Sequence, residues 1–150
     1  MAARFRCRPA TAADADGIAA VFSPSFRLLT FLPVLHTPEQ DRRFIENVIL
    51  KTCKVIVAED ETGIVSFLAL NGQVVRLFYT RPDRIGWGAG SLLLEAAKNS
   101  GVEALELWCF QANERARRFY EARGFRAIRF TDGADNEEKT PDVFYRWQRT

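Results

Sequence analysis

The sequence predicts a mixed α/β fold built as one domain over residues 1–150, and three observations lead to it. Apolar runs with strand spacing and with helix spacing alternate along the chain. Asn71-Gly72 joins two β-rich runs, a strong hairpin signal. Three alternate glycines, Gly86, Gly88 and Gly90, end one strand region and open a leucine-rich helix. Composition agrees: 47% hydrophobic against 27% charged residues suits a packed core and excludes disorder. A net charge of +2 is too small to argue for a nucleic-acid partner. No apolar run approaches the roughly 18 residues of a membrane span. Met1 to Phe5 lacks the apolar centre of a signal peptide, so a cytoplasmic location is expected.

In chain order, Arg4 to Arg8 reads as a short strand, and Thr11 as a helix cap with Asp14 reaching back. Ile18, Val21 and Phe22 share one face of that helix. From Ser23 to His36 the chain is apolar but broken by Pro24 and Pro33, which predicts a mobile loop or a short irregular helix. Thr37-Pro38-Glu39-Gln40 starts a second helix, with Thr at the cap and Pro first. Strands follow at Lys54 to Glu59, Ile64 to Leu70 and Val74 to Thr80. A helix from Ser91 to Asn99, a strand from Ala104 to Phe110 and a helix capped by Asn113 come next. Gly124 suits the left-handed exit of that helix. Phe125 to Phe130 and Val143 to Trp147 close the fold.

The chemistry concentrates in two segments. In Phe78-Tyr79-Thr80-Arg81-Pro82-Asp83-Arg84-Ile85-Gly86-Trp87-Gly88-Ala89-Gly90, a strand passes through a proline turn into a helix N-terminus. Glycines let backbone N–H groups approach an anion, and the helix end adds partial positive charge, which together make a pyrophosphate cradle. The plainer alternative is a glycine-rich turn that only eases the change from strand to helix. A dinucleotide fold fits poorly, because these glycines follow antiparallel strands halfway along the chain. In the second segment, Ala116, Phe119 and Tyr120 share a helix face; Phe119 and Phe125 read as core, whereas a buried Tyr120 hydroxyl needs a partner.

Together these segments resemble the GNAT superfamily of acyl-CoA-dependent N-acyltransferases. That family's pattern has a strand ending Leu/Phe-Tyr-Val-x-Pro, then Gln/Arg-Gly-x-Gly-x-Gly/Ala, and later Asn-x-x-Ala-x-x-Phe-Tyr-Glu-x-x-Gly-Phe. Asn113, Ala116, Phe119, Tyr120, Glu121, Gly124 and Phe125 match the last part in register. Asn136 to Trp147 also resembles tails of one bacterial branch. The resemblance implies a mixed, mostly antiparallel sheet of six to seven strands, helices on both faces, and a splay between the fourth and fifth strands. It implies acetyl-CoA as cosubstrate and no metal. Backbone amides of Ile85, Gly86, Trp87, Gly88, Ala89 and Gly90 would hold the pyrophosphate. The main chain of Phe78 and Thr80 would pair with the pantetheine arm, and the Phe78 amide would polarise the thioester carbonyl. Asn113 would bind the same arm, and Tyr120 would protonate the departing thiolate as general acid. The implied reaction is acetyl transfer to a primary amine of a small molecule or peptide, by direct attack in a ternary complex. Neither a nucleic acid nor a membrane is an expected partner, and assembly as a homodimer is left open.

The match has departures. Ile85 stands where Gln or Arg is usual, and Trp87 where Arg is common. Val74 stands where many members place a Glu that deprotonates the amine, so the base is unassigned among Glu59, Asp60, His36 and ordered water. His36, the only histidine, reads first as an exposed loop residue. Arginines between Arg115 and Arg129 precede an acidic segment from Asp132 to Asp142; the default is a solvated surface, and the alternative has some arginines meeting coenzyme phosphates while the acidic segment attracts a cationic amine. Cys7, Cys53 and Cys109 read as small hydrophobes in a reducing compartment. Two rival functions share the fold: a coenzyme A-binding sensor without catalysis, favoured by Val74, and an interaction module that docks through the acidic segment.

Overall fold

The computed structural model describes residues 5–150, so Arg4 of the first expected strand lies outside the described residues. Seven strands form one sheet, in the order β1-β2-β3-β4-β5-β7-β6. They are β1 (Arg6–Pro9), β2 (Lys54–Asp60), β3 (Gly63–Asn71), β4 (Val74–Thr80), β5 (Ala104–Phe110), β6 (Arg126–Thr131) and β7 (Asp142–Gln148). Every neighbouring pair is antiparallel except β4 and β5. Those two are parallel and share a single bridge, Val74 with Glu106, beyond which they part. The expected splay is therefore present between the fourth and fifth strands.

Helices cover both faces. On one face lie α1 (Ala15–Arg27) and α2, which runs from Pro38–Phe44 through a π-helical turn at Ile45–Ile49 to Leu50–Thr52. Ile18, Val21, Phe22, Ile45 and Ile49 pack there on Val57, Phe67 and Ala69 of the sheet. The opposite face carries α3 (Ala89–Lys98) and α4 (Glu114–Glu121). Here Leu93, Leu94 and Tyr120 meet Leu68, Leu105, Leu107 and Tyr145. Fully burying such aliphatic side chains is worth about 1.5–3 kcal/mol each, which holds the layers against the sheet.

Two caps form as their sequences predict. The Thr11 N–H donates to Asp14 (2.8 Å), and Thr37 exchanges bonds with Gln40 at 2.8 and 3.1 Å. The expectation of a break at Ser23 is corrected, because α1 continues through Pro24 to Arg27. Proline removes one helical N–H, but neighbouring side chains take up nearby carbonyls. The Ser25 hydroxyl lies 2.5 Å from the Val21 oxygen, and Arg27 donates to the Ser23 oxygen at 3.1 Å. Pro24 itself faces solvent, so its ring displaces no core residue.

A bulge in β4 sets which side chains meet which face. Ala69 pairs with Leu77 but Leu70 pairs with Val75, leaving Arg76 as the extra residue. Val75 accordingly packs with the α3 and α4 layer, whereas Leu77 and Tyr79 pack with α1 and α2. Without the bulge these three odd-numbered residues would share one face.

The end of α4 is equally determined. Phe125 donates its N–H to the Tyr120 oxygen (3.1 Å) and Gly124 to the Glu121 oxygen (3.3 Å), the paired bonds of a Schellman motif. Its accompanying apolar contact is Tyr120 on Phe125, with ring centroids 5.4 Å apart. Gly124 has φ +91°, and a Cβ there would lie 3.3 Å from Trp147 Cδ1. Gly124→Ala should therefore lower unfolding stability by about 1–2 kcal/mol, measured by urea denaturation; an unchanged midpoint would show that the turn relaxes freely.

Candidate active site

The parting of β4 from β5 exposes main-chain groups that a sheet normally satisfies. Arg81 donates its N–H to the Val65 oxygen on the β3 side (2.7 Å), and the Ser66 hydroxyl reaches the Tyr79 oxygen there at 2.8 Å. Because strand residues alternate, the N–H and C=O groups of Phe78 and Thr80 turn to the other edge, toward the parting. Among the described residues only the Ser25 hydroxyl approaches that edge, 2.8 Å from the Thr80 oxygen. An extended, polar chain can pair with such an edge as an added strand.

Beyond the strand, Pro82–Arg84 forms a 3₁₀ turn and the glycine loop follows. Gly86 and Gly88 have φ +87° and +96°, conformations that favour glycine, and a Cβ at either would meet nothing within 4 Å. Gly90 differs, since a Cβ there would make ordinary contacts with the Phe78 and Phe119 rings at 3.6 and 3.7 Å. Among the described residues no acceptor reaches the amides of Gly86, Gly88, Ala89 or Gly90, whereas the Trp87 amide donates to the Arg84 oxygen (3.3 Å). Open glycine backbone and unbonded amides at a helix N-terminus suit an anion. The loop is anchored by Arg84, which pairs with Asp60 (2.9 Å) and Asp83 (3.0 Å) and stacks 4.5 Å from the Trp87 ring.

Tyr120 approaches the parting from the α4 side. Its ring is buried against Phe78, Phe119 and Tyr145, with centroids 6.3, 5.5 and 6.1 Å away. Burial pushes its phenol up, with smaller contributions from Cys109 and Tyr79, so the hydroxyl stays protonated. No described residue bonds that hydroxyl. Since no fully buried side-chain polar atom among the described residues lacks a partner, the hydroxyl must border accessible space. Asn113 caps α4 by accepting from the Ala116 amide (3.3 Å), which commits its oxygen and leaves its NH₂ group free.

On the opposite face a cavity of about 740 Å³ opens beside the parting. Leu77 and Tyr79 of β4 and Trp108 and Phe110 of β5 form its floor, with α1 and α2 on one side. Residues 34–36 and 135–138 complete it, joined where His36 Nε2 meets Glu137 Oε1 at 2.7 Å. His36 is thus exposed, as expected, but tied into the cavity wall. Arg27 braces the same wall, reaching Asp41 (3.0 Å) and the His36 oxygen (2.5 Å).

A family model described as an acetyltransferase (GNAT) domain matches residues 51–127. The chain belongs to the GNAT family. Its fold is likewise that of several solved structures. PaiA N-acetyltransferase from Thermoplasma acidophilum, solved with coenzyme A, is 15% identical over 99% of both chains with a TM-score of 0.75. YncA from Salmonella typhimurium, a putative acetyltransferase solved with acetyl-CoA, is 17% identical over 98% of this chain and 95% of its own, at 0.73. YjaB from Escherichia coli gives 23% identity, 97% and 99% coverage, and 0.74. No curated protein sequence matches significantly.

Within this GNAT chain two of the carboxylates considered as bases lie away from the cavity. Glu59 is held by Arg8 and Arg6 at 3.0 and 3.1 Å, and Asp60 serves the loop anchor. Of the named side chains only His36 lines the cavity. Sequence reading missed Arg27, Asp41, Tyr79 and Trp108 as site residues. Tyr79 sits inside the first motif segment and Trp108 in the strand from Ala104 to Phe110, but both register only as strand residues, and only strand alternation could have separated them. All three cysteines are free, and burial pushes the Cys109 thiol up to about 12, which leaves it unreactive.

The loop anchor makes a pH-dependent prediction. The Thr62 hydroxyl and the Arg84 guanidinium hold the Asp60 carboxyl down to about 2. A depressed carboxylate stabilises the fold above its unfolded pKa of about 3.9 and loses that contribution as pH falls through the folded value. Asp60→Asn should therefore melt below the wild type at pH 7, and the gap should close between about pH 4 and pH 2. Thermal melts across that window check it; a gap constant with pH would remove the ionised pair as its source.

Proposed function

We propose that residues 1–150 form one N-acetyltransferase domain, cytoplasmic, that moves an acetyl group from acetyl-CoA to a primary amine of a small molecule or peptide. The observation that carries this reading is a coincidence at one parting of the sheet. The open edge of β4, the unbonded amides of the glycine loop and the unpartnered Tyr120 hydroxyl all converge there, with a cavity on the far side. A sensor without catalysis needs the first two features but has no use for the last two.

Acetyl-CoA supplies the acetyl group as a thioester. The open amides of Gly86, Gly88, Ala89 and Gly90, with that of Ile85, hold its pyrophosphate through backbone, so the side-chain changes at Ile85 and Trp87 cost no donors, while the Trp87 amide stays on the Arg84 oxygen. Phe78 and Thr80 pair along the pantetheine arm, and the free Asn113 NH₂ group adds a donor. The Phe78 N–H donates to the carbonyl oxygen, where negative charge develops as the neutral amine attacks directly. Tyr120 gives its proton to sulfur as the C–N bond forms and the C–S bond breaks. The proton shed by the amine restores the phenol through solvent. A phenol with a raised pKa is a weak donor to a thiolate in water, but sulfur departs into the same dry surroundings, which raise its basicity too.

Two outcomes are expected. Acetyl-CoA at about 100 times its Kd should stabilise the protein by about 2.7 kcal/mol, seen as a higher Tm, whereas NAD or ATP should not. Gly88→Glu should abolish that shift, because its carboxylate would occupy the anion cradle; a variant that kept it would refute the cradle. Tyr120→Phe should leave acetyl-CoA binding intact and slow the single-turnover chemical step by about 10²–10⁴-fold. An unchanged step would reduce Tyr120 to a core residue.

A further inference from the structure

The cavity beside the parting has a composition that selects among amines. Six aromatic side chains line it: Phe22, Phe26, Phe44, Tyr79, Trp108 and Phe110. Several pack edge to face or tilted, such as Phe22 on Tyr79 at 5.3 Å, which leaves ring faces available. Its mouth is apolar as well. Trp108 is 50% exposed, Val34 61% and Leu35 45%, a cluster that a monomeric protein gains nothing by showing to water.

Five carboxylates also line this space, and most are already committed. Asp41 is bound by Ser23 and Arg27, Asp142 by Thr131 and Asn136, and Glu137 by His36. Asp135 is exposed, whereas Glu138 is half-buried, and no side-chain partner among the described residues reaches either. Glu138 lies near enough to the Tyr79 hydroxyl to help keep that phenol protonated, after burial itself. The segment that carries it is fixed by its own bonds. Asn136 donates to the Thr140 oxygen (2.7 Å), the Thr140 amide donates back (3.2 Å), and Lys139 reaches the Ala134 oxygen (2.7 Å). Gly133 backs against Thr140 so closely that a Cβ would lie 2.2 Å from its oxygen. Glu138 is therefore held at the cavity wall in advance, without a counterion. A half-buried carboxylate among aromatic rings is an incomplete ion pair, and a cation enclosed by those rings completes it.

We propose that the acceptor is a primary amine carried on an aromatic body and bound as its ammonium, with Glu138 meeting the charge and the rings of Phe22, Phe44, Trp108 and Phe110 enclosing the body; it gives up one proton to solvent before the neutral amine attacks. This assignment deepens the transferase reading above and rests on it for the identity of the reacting group. Glu138 acts here as a specificity-determining residue. Arg76 and Arg129 also line the cavity, on β4 and β6, but among the described residues neither forms an ion pair with Glu138.

Calorimetric titration of the protein saturated with coenzyme A tests the proposal without requiring turnover. The probes are 2-phenylethylamine, which has ring and charge, 2-phenylethanol, which has the ring alone, and 1,4-diaminobutane, which has charge alone. Phenylethylamine should bind at least tenfold more tightly than either. Glu138→Gln should cost it tenfold or more and leave phenylethanol unchanged, while Glu138→Asp should restore most of the loss. Equal binding of phenylethylamine by wild type and Glu138→Gln would overturn the proposal, and so would diaminobutane binding as tightly. An unchanged Tm in Glu138→Gln separates these results from misfolding. Thiol release from acetyl-CoA with phenylethylamine is read in parallel. Ring- and charge-dependent binding without thiol release would uphold the pocket assignment and sink the transferase reading instead.

Discussion

Everything that distinguishes this sheet from an ordinary one depends on a single parallel bridge, Val74 to Glu106. A parallel pair normally continues along both strands, satisfying each N–H and C=O in turn. Here β4 is held on its other side by a long antiparallel pairing with β3, and β5 by β7, so each strand follows its own partner and the two diverge. The divergence leaves polar backbone of β4 facing a gap. Buried backbone groups without partners are costly, so a sheet opened in this way requires something polar and extended to complete it.

The bulge at Arg76 and the Schellman turn at Gly124 act on that gap from opposite faces. The bulge turns Leu77 and Tyr79 toward α1 and α2 and leaves Phe78 on the α4 side. The Schellman turn fixes the last helical residues of α4 and stacks Tyr120 on Phe125. Two tyrosine hydroxyls thus border the parting from its two sides, and neither bonds a described residue.

Much of this was legible in the residues. Strand alternation, the Asn71-Gly72 turn and the two capping boxes place the elements to within a few residues, because each is a local preference reinforced by its neighbours. The glycines and the run from Asn113 to Phe125 mark the proposed coenzyme side for the same reason: spacing along one segment is enough. What stayed hidden depends on distant contacts. Pro24 reads as a breaker, yet Ser25 and Arg27 supply hydrogen bonds that no propensity scale records. The bulge at Arg76 has no signature, since nothing in Val74-Val75-Arg76-Leu77 differs from a regular strand. The cavity wall closes only when His36 meets Glu137, residues 101 apart in the chain.

The origin of that wall has an evolutionary consequence. The matched family segment, 51–127, contributes the parting, the glycine loop and α4. The cavity walls come from either side of it, from Phe22 to Phe44 and from Arg129 to Asp142. Mutations in those flanks can reshape what enters the cavity while leaving the loop amides and Tyr120 in place. On the proposed reading, donor recognition and acceptor choice can therefore diverge at different rates within one chain. Under that reading, a lineage could exchange its amine repeatedly without ever rebuilding its thioester chemistry.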